Sequence, residues 1–132
     1  MNILLIEDNL AEARLLQEVL KGTVLSRFNL VHVKRLGEAI MHLQTDNFDV
    51  ILLDLTLPDS YGLASLDSII QYAPTLPIVV LTNTNDDELA VEAVRHGAQD
   101  YLVKRQMNQD ILVRSLRYAI ERKQAAEALR QA

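Results

Sequence analysis

Four short apolar runs in this chain each end on a group that can bind a cation or donate a hydrogen bond. The groups are Glu7-Asp8, Asp54, Thr82 and Lys104. Three carboxylates packed together repel one another, so a site that gathers them needs a cation. The chain has no Cys, and its three His residues lack ligand spacing, so the oxygen ligands favour Mg²⁺ or Mn²⁺ with retained waters. We therefore expect a divalent-metal site with a hydroxyl and an ammonium group beside it.

A buried strand is the element that positions Asp54. Residues 50–53 are all apolar and β-branched at the start, which is typical of a strand buried on both faces of a parallel sheet. Pro58 cannot continue a central strand. Asp54 therefore lies at the carboxyl end of the strand, where open α/β sheets bind their ligands. The alternative is that Asp54 only caps the following loop.

Five strands alternate with five helices along the chain. The strands are predicted at about 2–6, 29–33, 50–53, 78–81 and 101–103, and the helices at about 9–21, 36–45, 63–72, from the 83–88 loop to Gly97, and from 108 towards 130. Such alternation predicts a parallel sheet with helices on both faces, because right-handed crossovers put them there. All carboxyl ends then lie on one edge, and the four polar groups should meet in one shallow pocket.

Each of these groups also has an ordinary structural interpretation. Glu7 and Asp8 are placed to cap the first helix, where acidic side chains suit the helix dipole. Thr82 is compatible with an ordinary strand-end threonine. Lys104 is compatible with a plain counter-ion to Asp54. Capping does not explain why an acidic pair faces another strand-end acid, so the joint placement favours the metal site.

Composition limits the class of protein. The chain has 132 residues, of which 49% are hydrophobic and 23% charged, as expected for one globular α/β domain. The absence of Cys excludes a disulfide scaffold and fits the reducing cytoplasm, where we expect the protein to act. The net charge of −5 argues against nucleic acid as a direct ligand, and no apolar run approaches the length of a membrane span.

The motifs Glu7-Asp8, Asp54 with Pro58-Asp59-x-x-Gly62, Thr82, and Tyr101-x-x-Lys104 occur together and in this order. In this the chain resembles a response-regulator receiver domain, the phospho-accepting half of two-component signalling, of the chemotaxis-regulator type. The resemblance covers residues 1–120. It implies a flavodoxin-like, doubly wound, five-stranded parallel sheet of order 2-1-3-4-5 with five helices.

The resemblance also implies roles for the site residues. Asp54 would take a phosphoryl group from the phosphohistidine of a histidine kinase or phosphotransfer protein. Mg²⁺ or Mn²⁺ would be held by Glu7, Asp8, Asp54 and the backbone carbonyl of Thr56. Lys104 and the Thr82 hydroxyl would contact phosphoryl oxygens, which agrees with the need of phosphoryl transfer for positioning and charge neutralisation.

A switch is a further implication of the resemblance. Thr82 would move inward on phosphorylation, and Tyr101 would rotate after it; the alternative for Tyr101 is a half-buried strand tyrosine. The fourth helix, fifth strand and fifth helix would then bind a downstream output protein or domain. A homodimer through the same three elements is a further hypothesis.

Some residues depart from the family pattern. Asn83 stands where the family has a small residue, and Arg105 stands where it often has a cis-proline, so we expect a trans bond and an altered loop there. By the resemblance, Thr56 and Thr84 occupy positions that tune the phosphoryl lifetime in the family. These departures leave open a phosphorylation-independent interaction module. An aspartyl-phosphate hydrolase would need a second carboxylate where Thr56 stands, so we do not expect an enzyme.

The last helix overruns the sheet on which it packs. Residues 121–132 form a strong helix-forming segment with mixed charges and a thin apolar stripe. We interpret them as a C-terminal helical extension of the receiver domain. The extension is either a solvated helix that frays or a connector of the kind that leads from receivers to output domains, and the chain is either a single-domain regulator or a fragment of a longer one.

Overall fold

The computed structural model describes residues 1–22, 27–83 and 85–131, and in these it contains five major strands and five α-helices. The strands are β1 (Asn2–Ile6), β2 (Asn29–Val33), β3 (Val50–Asp54), β4 (Ile78–Thr82) and β5 (Asp100–Val103). The helices are α1 (Leu10–Lys21), α2 (Leu36–Thr45), α3 (Leu63–Tyr72), α4 (Asp87–His96) and α5 (Gln109–Gln131). These bounds agree with the sequence prediction to within a few residues.

The five strands form one parallel sheet in the order β2-β1-β3-β4-β5. This confirms the predicted flavodoxin-like order. In the register, Leu5 pairs with Leu52, and Leu53 pairs with Val80. Because all the strands run the same way, the ends of β1, β3, β4 and β5 lie along one edge of the sheet.

The central strands are buried on both faces, which explains their unbroken apolar runs. On one face Ile51 and Leu53 belong to a core with Leu66 of α3. On the other face Leu52 packs in a core with Leu16 of α1 and others from α5. Every residue of β3 and β4 is buried, whereas β2 at the sheet edge is only partly so, as predicted.

The loop after β3 is more ordered than predicted. Residues 56–57 and 60–61 pair as a short antiparallel hairpin around the Pro58-Asp59 turn. The Ser65 hydroxyl in α3 donates to the Ser60 hydroxyl at 2.7 Å, which fixes this hairpin against the helix. Gly62 then adopts φ 66°, a conformation that favours glycine, and α3 begins at the next residue.

Two other segments bear on the predictions. Lys104–Gln106 form one turn of 3₁₀ helix after β5, and the peptide bond before Arg105 is trans, as expected. Helix α5 runs without a break through residues 109–131, so no change of secondary structure marks a boundary at residue 120. Within the described part of the chain, no helix combines the length and apolarity needed to cross a bilayer.

Candidate functional site

The ends of β1, β3 and β5 bring three predicted residues together. The Lys104 ammonium donates to the carboxylate of Glu7 and, at 3.1 Å, to Oδ2 of Asp54. It also donates to Oε2 of Glu12 at 2.5 Å. Glu7 and Asp54 are almost fully buried, at 2% and 5% exposure. One ammonium group therefore lies among three carboxylates, two of which have very little access to water.

Glu12 is the residue that the sequence reasoning missed. Asn9 caps α1 by accepting a hydrogen bond from the Glu12 backbone N–H at 3.1 Å. The backbone N–H of Asn9 instead donates to Glu7 Oε2 at 3.3 Å, so the Glu12 side chain extends to Lys104. The spacing Asn9-x-x-Glu12 resembles a capping box, which predicts that the glutamate turns back to the Asn9 N–H, so this spacing gave no signal of its contact with Lys104.

The donor set suits a hard divalent cation. One oxygen each of Glu7, Glu12 and Asp54 lie within 4.8 Å of one another. Carboxylate oxygens without Cys or His ligands match the preference of Mg²⁺ and Mn²⁺. Asp8 is exposed and does not belong to this group of three, so its predicted part in metal binding remains a prediction.

Burial and mutual contact change the acid–base properties of the cluster. Burial, with a hydrogen bond to Asp54, raises the pKa of Glu7 to about 9, although Lys104 acts in the opposite direction. Burial alone would lower the pKa of Lys104, but its hydrogen bonds to Glu12 and Glu7 raise it above the ordinary value. Without a divalent cation, the pKa of Glu7 is therefore shifted towards the protonated acid and that of Lys104 towards the charged ammonium.

Asp54 is held at both oxygens. Its Oδ1 accepts a hydrogen bond from the Thr56 backbone N–H at 3.0 Å, and its Oδ2 accepts from Lys104. The first bond is the loop-capping interaction that was the ordinary interpretation of Asp54. The second oxygen faces the cluster, so the same side chain caps the loop and contacts Lys104.

The structure describes four of the other predicted residues, Thr82, Tyr101, Asn83 and Arg105. Leu81 pairs with Asp54 in the sheet, so Thr82 lies one residue further along β4, where it is buried. Tyr101 on β5 is half-buried and packs against the apolar core. Asn83 and Arg105 are exposed. Thr84 lies outside the described residues.

Asp59 links the loop after β3 to α2. Its Oδ1 accepts from the Leu36 N–H at 2.8 Å and its Oδ2 from the Gly37 N–H at 3.0 Å. The residue before α2, Arg35, makes no side-chain cap, so Asp59 takes that role. Slight burial opposes the effect, but the two backbone hydrogen bonds lower the pKa of Asp59.

The three histidines bond to other partners. His32 Nε2 donates to the Glu7 backbone carbonyl at 2.7 Å. His42 contacts Asp46, and His96 at the end of α4 contacts Asp67 of α3, both at 2.8 Å. None of these imidazoles belongs to the group of three carboxylates.

Comparison with known sequences gives consistent matches. A family model described as the response regulator receiver domain matches residues 3–117. The swarming motility regulation protein RssB of Serratia marcescens is 39% identical over 104 residues, which cover 79% of this chain and 46% of that protein. The transcriptional regulatory protein KdpE of Staphylococcus aureus is 37% identical, over 77% of this chain and 42% of that protein. The chain therefore spans less than half the length of these two relatives.

Comparison with solved structures agrees. The signal receiver domain of a LuxO repressor protein from Vibrio parahaemolyticus has a TM-score of 0.82 at 29% identity, and covers 97% of this chain and 95% of that one. The Mn²⁺-bound form of the response regulator Rcp1 has a TM-score of 0.70 at 30% identity, with 87% and 88% coverage. Together with the strand order and the acidic cluster, these matches show that the chain belongs to the response regulator receiver domain family of two-component systems.

Proposed function

We propose that the protein accepts a phosphoryl group on Asp54 from a phosphohistidine and changes a binding surface in response. The observation that carries this proposal is the placement of Asp54, a buried carboxylate at the end of β3 held between the Thr56 N–H and the Lys104 ammonium. Phosphoryl transfer depends on positioning and on neutralising charge, and this arrangement supplies both.

The reaction forms one bond and breaks another. An oxygen of Asp54 attacks phosphorus, and the bond from phosphorus to the histidine nitrogen of the donor breaks, with the electron pair remaining on that nitrogen. Mg²⁺ or Mn²⁺, held by Glu7, Asp8, Asp54 and the Thr56 carbonyl, would neutralise charge on the phosphoryl oxygens. Lys104 provides a second positive charge at Oδ2 of Asp54, and the Thr82 hydroxyl would donate a further hydrogen bond.

The response surface comprises α4, β5 and α5. Phosphorylation adds roughly −1.5 to −2 charges and new acceptor oxygens, which draw Thr82 inward. Tyr101 then rotates from its half-buried position. Exposed apolar side chains on α4 (Val91, Val94) and α5 (Ile111, Tyr118) suit a downstream output protein or domain.

The proposal also covers the residues that modulate the site, the C-terminal extension and a homodimer. Asn83, Thr84 and Arg105 would modulate the lifetime of the phosphoryl group. Residues 121–132 would extend the receiver domain of residues 1–120 as a helical connector. A homodimer through α4, β5 and α5 would be detected by sedimentation before and after phosphorylation, and a monomer in both states would remove it.

The test is intact-protein mass spectrometry after incubation with acetyl phosphate and Mg²⁺. We expect one phosphoryl adduct that is absent in Asp54→Asn and in the presence of EDTA. Asp59→Asn is the matched control, since it removes a neighbouring carboxylate that lies at α2 rather than in the cluster. An adduct that survives in Asp54→Asn would contradict the assignment. No adduct from acetyl phosphate or from phosphohistidine donors would favour a phosphorylation-independent interaction module.

A further inference from the structure

The hydrogen-bonding capacity of Lys104 is fully used within the cluster. An ammonium group has three N–H donors. In this structure Lys104 contacts three carboxylates, those of Glu7, Glu12 and Asp54. A phosphoryl oxygen on Asp54 can gain a hydrogen bond from Lys104 only if one of these contacts is given up or shared.

The three carboxyl groups differ in how easily each can give up its contact with Lys104. The Glu7 side chain is 2% exposed, so water cannot replace its contact with Lys104. The Asp54 side chain is 7% exposed, and it is the group that would carry the phosphoryl group. The Glu12 side chain is 34% exposed and lies on the first turn of α1, where water can solvate it after release. Glu12 is therefore the contact that costs least to break.

The surroundings provide space for the released carboxylate. A cavity of about 210 Å³ adjoins the cluster, and Glu12, Lys104, Asn83 and Arg105 all line it. Arg105 is exposed, so its guanidinium is available as a second cationic partner for Glu12. The two residues that depart from the family pattern, Asn83 and Arg105, thus lie where a displaced Glu12 would move.

We propose that Glu12 is a positioning residue: it is the resting counter-ion of Lys104, and Lys104 exchanges it for the phosphoryl group on Asp54. This inference rests on the proposed function, since it describes how that site is held before the reaction. Glu12 competes with the phosphoryl group for the same ammonium donors. Removing its charge should therefore strengthen binding of a phosphoryl group at Asp54.

The test measures binding of beryllofluoride, BeF₃⁻, a tetrahedral mimic of the phosphoryl group, by ¹⁹F NMR at saturating Mg²⁺. The proteins are wild type, Glu12→Gln, Lys104→Gln and the double variant. Glu18→Gln is the matched control, because it removes an equal charge from an exposed position on the same helix, in contact with Lys21. Thermal unfolding of each variant, followed by circular dichroism, measures any change in folding stability separately.

We expect Glu12→Gln to bind BeF₃⁻ about fivefold or more tightly than wild type, and Glu18→Gln to match wild type. In the Lys104→Gln background, the Glu12→Gln change should alter affinity by less than about twofold, because the shared ammonium is gone. Unchanged or weaker binding in Glu12→Gln would overturn the exchange. An equal gain with and without Lys104 would also overturn it, and would assign the effect to general charge repulsion. If wild type itself binds no BeF₃⁻, the proposed phosphoacceptor function fails, which is a distinct result.

Discussion

Glu7 should control how the stability of the metal-free protein depends on pH. Burial raises its pKa to about 9 in the folded protein, against 4.5 for an ordinary glutamate. Between these values the folded protein holds a proton that the unfolded chain has lost, so the free energy of unfolding falls as the pH rises. The stability associated with the protonated carboxyl is complete below pH 4.5 and is lost as the pH approaches 9.

The size of the effect follows from this proton difference. One proton changes the free energy of unfolding by about 1.4 kcal/mol per pH unit, so two units give about 2.7 kcal/mol at most. From pH 5.5 to 7.5 we therefore expect a loss of about 2 kcal/mol, which is on the order of this maximum. Glu7→Gln cannot titrate and should not show this loss.

The assay is urea unfolding in EDTA at about pH 5.5, 6.5 and 7.5, followed by circular dichroism. His32, His42 and His96 are present in both proteins, so the difference between wild type and Glu7→Gln isolates Glu7. Glu38→Gln, an exposed glutamate in the first turn of α2, is the control for loss of charge. If the difference in the free energy of unfolding between wild type and Glu7→Gln stays constant with pH, the raised pKa of Glu7 is refuted. Saturating Mg²⁺ should flatten the wild-type dependence, since a cation favours the ionised carboxylate.

Three other changes test single contacts, two in the fold and one in the cluster. Asp59→Ala removes the acceptor for the Leu36 N–H and should lower the free energy of unfolding by about 1 kcal/mol; urea unfolding equal to wild type would show that the bond contributes nothing. Gly97→Ala should lower the free energy of unfolding by about 1–2 kcal/mol, because Gly97 has φ 121° and an added Cβ would lie 2.8 Å from Ile70 Cδ1. Ile70→Val in that background should recover part of the loss, and no recovery would contradict the clash. Lys104→Gln leaves the buried Asp54 carboxylate without its counter-ion and should lower the free energy of unfolding by about 3–5 kcal/mol in EDTA. Mg²⁺ should raise the melting temperature of this variant more than that of wild type, and an equal rise would count against a cation position shared by Lys104 and Mg²⁺.

The sequence pattern determined the alternation of strands and helices and the edge at which the site forms, and the resemblance to the receiver family supplied the strand order. The apolar runs of β3 and β4 and the helical spacing between them are local patterns, and right-handed crossovers leave few topologies for their alternation. Asp54 and Lys104 could be assigned to one edge because parallel strands end together. The same reasoning placed Thr82 at this edge, and in the structure Thr82 lies one residue beyond the sheet partner of Asp54.

Only the tertiary structure decided which side chains touch within that edge. Glu12 meets Lys104 across 92 residues of sequence, and Asp59 meets the start of α2 across 22–23 residues. Contacts of this kind depend on how each helix packs on the sheet, to within a few ångströms, and periodicity carries no such information. The raised pKa of Glu7 is likewise a product of burial by several elements at once. Sequence patterns specify the elements and their order, whereas distances and desolvation arise only when those elements pack together.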